Sequence, residues 1–497
     1  MTAETGSPAV GARSLRRQMR SWRRQRADTT LYEQVSDAYV WVFSGVVIGA
    51  MAISAMIQTR VSIASGCTTA TCTDARTSLV WASVAGVLAV ALAAAQSVGP
   101  VMVTPATGAW LLTTPVDRRP LLRSRLLAAC ITAALVCGPT VSVVGLLAGF
   151  PGGSIAVLGV SAAVAGAGVT AAAASWQTHD GRTTRLVALV LATATAAWML
   201  LIALDAEPAT TSEWALGAVG WIVVSATVVV TVGLLVRASV RLDVLVRAQL
   251  VPGGSLLSSL SGALAGLDLT LVYDILVARR WRTAATVHPV RGGPGGAWAL
   301  VWRDVVRLRR STGAVASLVV ALLVPYVVVR LGLDDVTVLA SATTAFLAGV
   351  WSFSALRTTA SNPGLVRCFP MSLAAVRSAT LAVPGAFLLV WSLAAAPAIG
   401  RSLDLGVGAT VWVSVATGAA ALGAVARWLL AGPPNYSQPL ISSPAGGVPI
   451  ALIGSTLRGF DVLALGVVPL LVSPTETGSL VSMGLTASVL SYLLNRK

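Results

Sequence analysis

Continuous apolar runs of about 20 residues recur from end to end of this chain, and nothing else in the sequence restricts the fold so tightly. A bilayer core about 30 Å thick is spanned by about 20 helical residues. Such runs lie at about 38–58, 79–101, 126–148, 155–176, 186–204 and 214–236, and again at about 312–330, 337–356, 378–399, 406–427, 455–473 and 478–494. They are unbroken rather than short and alternating, which excludes a transmembrane β-barrel. Only 11% of the 497 residues are charged, where a soluble chain carries about a quarter. The expected fold class is all-α: a polytopic membrane protein of about 12 transmembrane helices, arranged as two six-span pseudo-repeats with interfacial amphipathic helices.

The net charge of +16 is distributed by topology. Of the 35 Lys and Arg, 31 fall in the N-terminal tail, the even-numbered loops and the C-terminus. The odd-numbered loops hold only Arg60, Arg76, Arg330 and Arg401, beside Asp74, Asp205, Glu207, Glu213, Asp334, Asp335, Asp404 and Glu476. This is the positive-inside pattern. It predicts a multi-pass protein of the cytoplasmic (inner) membrane with both termini cytoplasmic. The arginines hug helix ends, so the expected partners are anionic membrane lipids and not nucleic acid. The first 37 residues are polar and basic, and no cleavable leader is expected before a first run long enough to stay as a span.

The expected organisation is a basic amphipathic segment over 1–37, a six-span half over 38–236, a linker with surface helices over 237–297, and a second amphipathic helix with six spans over 298–497. Leu15, Met19 and Trp22 stand at helical spacing among arginines, including Arg23. Trp298-Ala-Leu-Val-Trp302-Arg303-Asp304 repeats that character immediately before the seventh span. Both segments read as helices lying on the inner leaflet. Within the linker, the apolar stretch 256–281 is interrupted by Asp268 and Asp274, which argues against a span.

Cys67 and Cys72 flank four residues of an outer loop, where the spacing fits either a small hairpin disulfide or a pair of free thiols. Cys130 and Cys137, seven apart with no acid or histidine nearby, read as packing residues. His179-Asp180 forms part of a short turn. The only other histidine, His288, is far away in sequence, so no metal site is expected. Arg458 and Asp461, three apart, are the charged residues that lie deep in an expected span, the others standing at span ends, and their spacing suits a mutual pair. Coupled secondary transport usually needs more buried charge than that. The one lysine is Lys497, so no Gly-rich phosphate loop ending in Gly-Lys exists. No catalytic constellation is present and no cofactor is expected on the chain itself.

Two loops lie in equivalent settings, between the second and third span of each half. The first contains Pro115-Val116-Asp117-Arg118-Arg119-Pro120, and two prolines around charged residues require it to leave the hydrocarbon. The second contains Phe369-Pro370-Met371-Ser372. Pro115 and Pro370 are 255 residues apart, and Arg123-Ser124 and Arg377-Ser378 are 254 apart, as expected of a parallel repeat.

The interfacial basic helix, the Leu-Leu-x-x-Pro-Val-x-Arg loop and the Trp-Arg-Asp-x-x-x-Leu-x-Arg helix opening the second half together resemble the permease subunits of ABC-2-type exporters. The chain is similar to a fused two-half, actinobacterial-type integral membrane protein of that kind. The resemblance covers the layout of about 12–494. It implies that Pro115, Val116, Asp117, Arg118 and Arg119 form a coupling loop docking into a separate ABC ATPase subunit, supplied as a pair. Pro370, Met371 and Ser372 would be a second coupling loop lacking the Asp-Arg-Arg. It also implies that Trp22, Arg23, Trp302, Arg303 and Asp304 belong to connecting helices on the inner leaflet. ATP would act through the partner, and an apolar path between the halves suits a hydrophobic or amphiphilic substrate. Two alternatives stay open: a non-transporting component derived from a permease, such as an immunity or scaffold protein, and a polytopic enzyme acting on a lipid-linked substrate.

Overall fold

The computed structural model describes residues 69–110, 112–114, 118–177, 181–206, 218–266, 268–282, 290, 293–432, 441–443, 446–448 and 454–496, with isolated positions before 69. The first expected span, most of the N-terminal amphipathic segment, Cys67, Pro115 to Asp117 and both histidines lie outside the described residues. Ten described helices are long and apolar enough to cross a membrane. The chain divides into two compact units, one covering essentially the residues up to 259 and the other those from 260 on.

Unit 1 contains α1 (Ala70–Val98), α2 (Pro105–Trp110), α3 (Arg118–Leu147), α4 (Gly152–Trp176), α5 (Arg182–Ala203), α6 (Ala218–Val240) and most of α7 (Arg247–Ala265). Helix α3 starts eight residues before the expected span. Pro120 sits in its first turn, where a missing N–H breaks no intrahelical bond. Helices α3 and α4 pack through small residues: Gly138 against Ala163, Gly159 against Ser142, and Gly166 against Cys137. Without side chains at those positions the backbones approach closely, the main source of helix adhesion in lipid. Cys137 is therefore a packing residue, and Cys130 is buried in the core two turns earlier on the same helix. Helix α5 packs most loosely and exposes Leu186, Leu189 and Val190.

Unit 2 contains α8 (Leu269–Arg282), α9 (Ala297–Arg310), α10 (Thr312–Ala321), α11 (Leu323–Arg330), α12 (Thr337–Gly349), α13 (Ser354–Ser361), α14 (Pro363–Arg367), α15 (Leu373–Ser402), α16 (Val407–Leu429), α17 (Phe460–Val472) and α18 (Glu476–Asn495). Its single core runs from Tyr273 through Phe346, Phe353 and Trp391 to Leu493. The buried Trp391 indole donates to the Leu318 carbonyl (2.9 Å) and the half-buried Tyr326 hydroxyl to that of Ala394 (2.6 Å), so both aromatic dipoles are satisfied.

The two units share a numerical register. Helices α3 and α15 begin at 118 and 373, and α4 and α16 at 152 and 407, in each case 255 residues apart. The pairings correspond too: α3 lies on α4 and α4 on α6, as α15 lies on α16 and α16 on α18.

Two features depart from expectation. Helix α17 has 13 residues, too few to span a bilayer unaided, because Gly459, at φ 91°, precedes it. The loop before it carries an antiparallel ladder, β1 (Ile441–Ser443) with β2 (Gly446–Val448), in which Ile441 faces Val448. Its sequence, Ser443-Pro-Ala-Gly-Gly447, is turn chemistry. Among the described residues the fold is all-helical apart from this hairpin.

Candidate functional site

The arginine-rich loop of unit 1 is anchored at both edges. Val101, Val103 and Leu112 on its leading side are buried with Leu122 and Leu126 from the first turns of α3. Arg118 donates to the Leu112 carbonyl (3.3 Å), closing the loop on itself. Arg119 pairs with Asp243 and donates to the Val240 carbonyl (3.4 Å) at the end of α6. Two of the five residues expected to face a partner are thus also fastened within the protein. Both Arg119 and Asp243 are about half exposed, so their pair is a surface contact worth about 0–1 kcal/mol. Trp110, at the end of α2, projects with 77% of its surface exposed beside this loop. Nothing in the apolar periodicity singled it out.

Helix ends at this extremity of unit 1 are joined by polar side chains. The Gln177 amide donates to the carbonyls of Val101 (3.0 Å) and Gln249 (3.1 Å) and accepts from the Val101 N–H (3.3 Å). Arg241 donates to the Ser175 carbonyl (3.3 Å), one of the orphan acceptors at the end of α4.

In unit 2 the corresponding loop follows α14. Pro370 and Ser372 are exposed, and the Ser372 hydroxyl accepts the Ala375 N–H (3.2 Å), capping α15. Ser372 therefore has a structural duty independent of any partner. Arg377, in the next turn, donates to the carbonyls of Leu493 (2.9 Å), Leu494 (3.2 Å) and Arg496 (2.7 Å) at the end of α18.

The densest polar cluster is one that the sequence reading left unassigned. It surrounds residues 350–357, where the second span of unit 2 gives way to α13. Arg357 grips Asp274 with two bonds, Nε to Oδ1 (2.9 Å) and Nη2 to Oδ2 (2.6 Å), and donates to the carbonyls of Leu429 (3.1 Å) and Ala431 (3.0 Å). Its hydrogen bond to Asp274 holds its guanidinium above the usual range against the opposing effect of burial. Tyr273 is buried against Trp351 and Trp428, and its hydroxyl donates to the Val350 carbonyl (3.4 Å). Burial pushes that phenol up.

Asp304, on the helix expected at the membrane interface, lies on its inward side. It is 2% exposed, while Trp298, Trp302, Arg303 and Val305 occupy the outward side of α9. Its Oδ1 accepts from Arg307 Nε (2.6 Å), and Arg307 in turn donates to the Ser352 carbonyl and the Ser354 hydroxyl. Burial is the larger effect on Asp304 and raises its carboxyl above the ordinary range; Arg307 opposes it. The linker acids are explained as well. Asp268 caps α8 through the N–H groups of Thr270 (3.1 Å) and Leu271 (3.0 Å), and Asp274 serves Arg357. Arg458 and Asp461 do not pair with each other. Asp461 meets Arg427 (3.3 Å), and Arg458 donates to the Gly432 carbonyl (2.6 Å).

Of the remaining expected residues, Trp22 is exposed, and Arg23 lies outside the described set. Cys72 is disulfide-bonded, whereas its expected partner Cys67 lies outside the described residues. Among the described residues no three His, Cys, Asp or Glu side chains group as metal ligands do.

Ten membrane-length apolar helices, with polar and arginine-rich clusters confined to their ends, define a multi-pass α-helical membrane protein. The pattern of the family of unknown function DUF6297 matches residues 72–439, and the chain belongs to that family. The matched region ends before α17 and α18. No curated protein matches the sequence.

Proposed function

We propose that this protein is the permease subunit of an ABC-type exporter, moving a hydrophobic or amphiphilic substrate with energy from a separate pair of ATPase subunits. In this reading the chain has two six-span halves, both termini are cytoplasmic, and the loop around Pro115 to Arg119 is the principal coupling element. The observation that carries it is the matched pair of loops. Each precedes a 30-residue helix, the two helices begin 255 residues apart, and an arginine near the start of each reaches the end of a later helix of its unit, α6 in unit 1 and α18 in unit 2. A loop braced in this way could pass a push to a whole half-bundle. The outward Trp298, Trp302 and Arg303 suit a helix lying in the headgroup layer.

The test is co-purification of an ATPase with the full-length protein, wild type against Asp117→Ala, Arg118→Ala and Arg119→Ala combined. Because Arg119 also holds Asp243, Asp243→Ala serves as control. Loss of the ATPase in the triple variant with retention in the control supports docking; equal retention in both refutes it. One observation favours a second reading, a permease-derived component that no longer transports: the loop at 370–372 lacks the charged residues, and Ser372 serves as a helix cap. That protein would purify without an ATPase.

A further inference from the structure

The helix that ends each unit's second span is followed by a joint, and helices of the same unit grip that joint. Val98 and Phe353 mark the two joints and are 255 residues apart, the same offset that relates α3 to α15. The grips differ in kind.

At 98–104 the grip is made by neutral backbone packing. The Val103 N–H donates to the Leu250 carbonyl (3.2 Å), and Gln177 ties Val101 to Gln249. Gly253 and Gly254 lie so close that an added methyl at either would overlap the carbonyl oxygen of Val98 or Val103. No charged side chain enters these contacts.

At 350–357 the grip is charged. Tyr273 and Asp274 from α8 reach Val350 and Arg357, and Arg307 from α9 reaches Ser352 and Ser354. Four positions within eight residues are thereby held, three of them through arginine. The stretch Val350–Ser352 is a 3-10 turn between two α-helices, a geometry often found at hinges. Asp274 is a third exposed, so water can take over its half of the pair when the contact opens. The buried Tyr273 ring keeps α8 attached meanwhile.

We propose that the two joints are held by unlike arms: in unit 1, α7 is a fixed arm on 98–104, and in unit 2, α8 and α9 form an adjustable arm on 350–357 whose engagement depends on the Arg357–Asp274 pair. Movement at the second joint then requires this pair to break, whereas the first joint moves as one piece with α7. The inference rests on the two-half reading and needs no ATPase, so it can fail or hold independently of the exporter assignment.

Hydrogen exchange of the full-length protein in detergent micelles tests it, with peptides covering 247–259 and 269–282 compared. Arg357→Ala is expected to speed exchange in 269–282 by at least about five-fold while leaving 247–259 at the wild-type rate, as for a locally opened segment. Asp274→Asn, a milder change that keeps side-chain shape, should act in the same direction. Joining it to Arg357→Ala should add nothing, because both changes break one contact. Gln177→Ala should leave 269–282 unchanged. Wild-type protection of 269–282 in both Arg357→Ala and Asp274→Asn would overturn the proposal, and so would equal loosening of both arms.

Discussion

Arg377 donates to the carbonyl of Leu493 at 2.9 Å, fastening the start of α15 to the end of the last helix of its unit. Arg119 makes the corresponding contact to Val240 at 3.4 Å in unit 1. The two differ in strength. Arg377 is partly buried and serves three terminal carbonyls; Arg119 serves one carbonyl and an exposed aspartate. Arg377→Ala is expected to cost about 1–3 kcal/mol, the scale of charge-assisted bonds to orphan helix-end carbonyls. Arg119→Ala should cost about 0–1 kcal/mol. Thermal unfolding of both variants in one detergent would show the ranking.

Gly254 admits no side chain, because the Val103 carbonyl occupies the space, whereas nothing lies within 4 Å of a methyl at Gly262 on the same helix. Gly254→Ala should therefore destabilise by about 1–3 kcal/mol or more, as overpacking does. Gly262→Ala should be neutral or stabilising by about 0.5–1 kcal/mol, since it removes backbone freedom from the unfolded chain. Fluorescence-detected size exclusion after graded heating would separate them.

Asp304 supplies a pH signature. Its carboxyl is raised by burial in the folded protein, so the fold binds that proton more tightly than the unfolded chain does. The resulting stabilisation is complete below the ordinary aspartate value of about 3.9 and is lost as pH rises through the folded-state value. Asp304→Asn cannot titrate. The melting temperature of wild type minus that of Asp304→Asn should fall from about pH 4 upward and then level off. A flat difference would contradict the burial argument.

The exposed side of α18 carries Ser488, Ser491, Tyr492 and Asn495 beside Arg496, around an open concavity of about 640 Å³. The counterparts of these four residues 255 positions earlier on α6 are Gly233, Val236, Arg237 and Val240, with the exposed Val229 and Val232 a turn before them. Valine suits lipid tails, whereas a polar stripe suits water or an amphiphile's polar end. In inside-out membrane vesicles and a Cys368→Ser background, Ser491→Cys is expected to react with a membrane-impermeant thiol reagent, and Val236→Cys is expected not to react. Equal protection of the two cysteines would remove the distinction.

Much of this architecture was legible because apolar length and charge placement act locally. The described long helices lie close to where hydropathy places them, and the 255-residue offset is legible in Pro115 and Pro370 alone. Asp268 and Asp274 were recognised as barring a span, although what they do instead, capping α8 and holding Arg357, depends on tertiary placement. Arg357 itself was one of many loop arginines. Its role became visible only when α8, α13 and the end of α16 met around it. Asp304 is burial that sequence does not show: an acid on a basic amphipathic helix ordinarily faces water, whereas here it lies beside Arg307, which reaches Ser352 and Ser354. The short α17 is hidden for a different reason: Gly459 interrupts the expected run 455–473, which reads as continuous by hydropathy alone, and the hairpin lies in the stretch between expected spans.

The central claim is that this chain is a passive permease energised through its loops by a separate ATPase. Native mass spectrometry of the complex extracted gently from its own membrane tests that most directly. The account predicts one copy of this chain bound to two copies of a nucleotide-binding subunit. Recovery of the chain without any nucleotide-binding subunit, under conditions that preserve known membrane complexes, would contradict it.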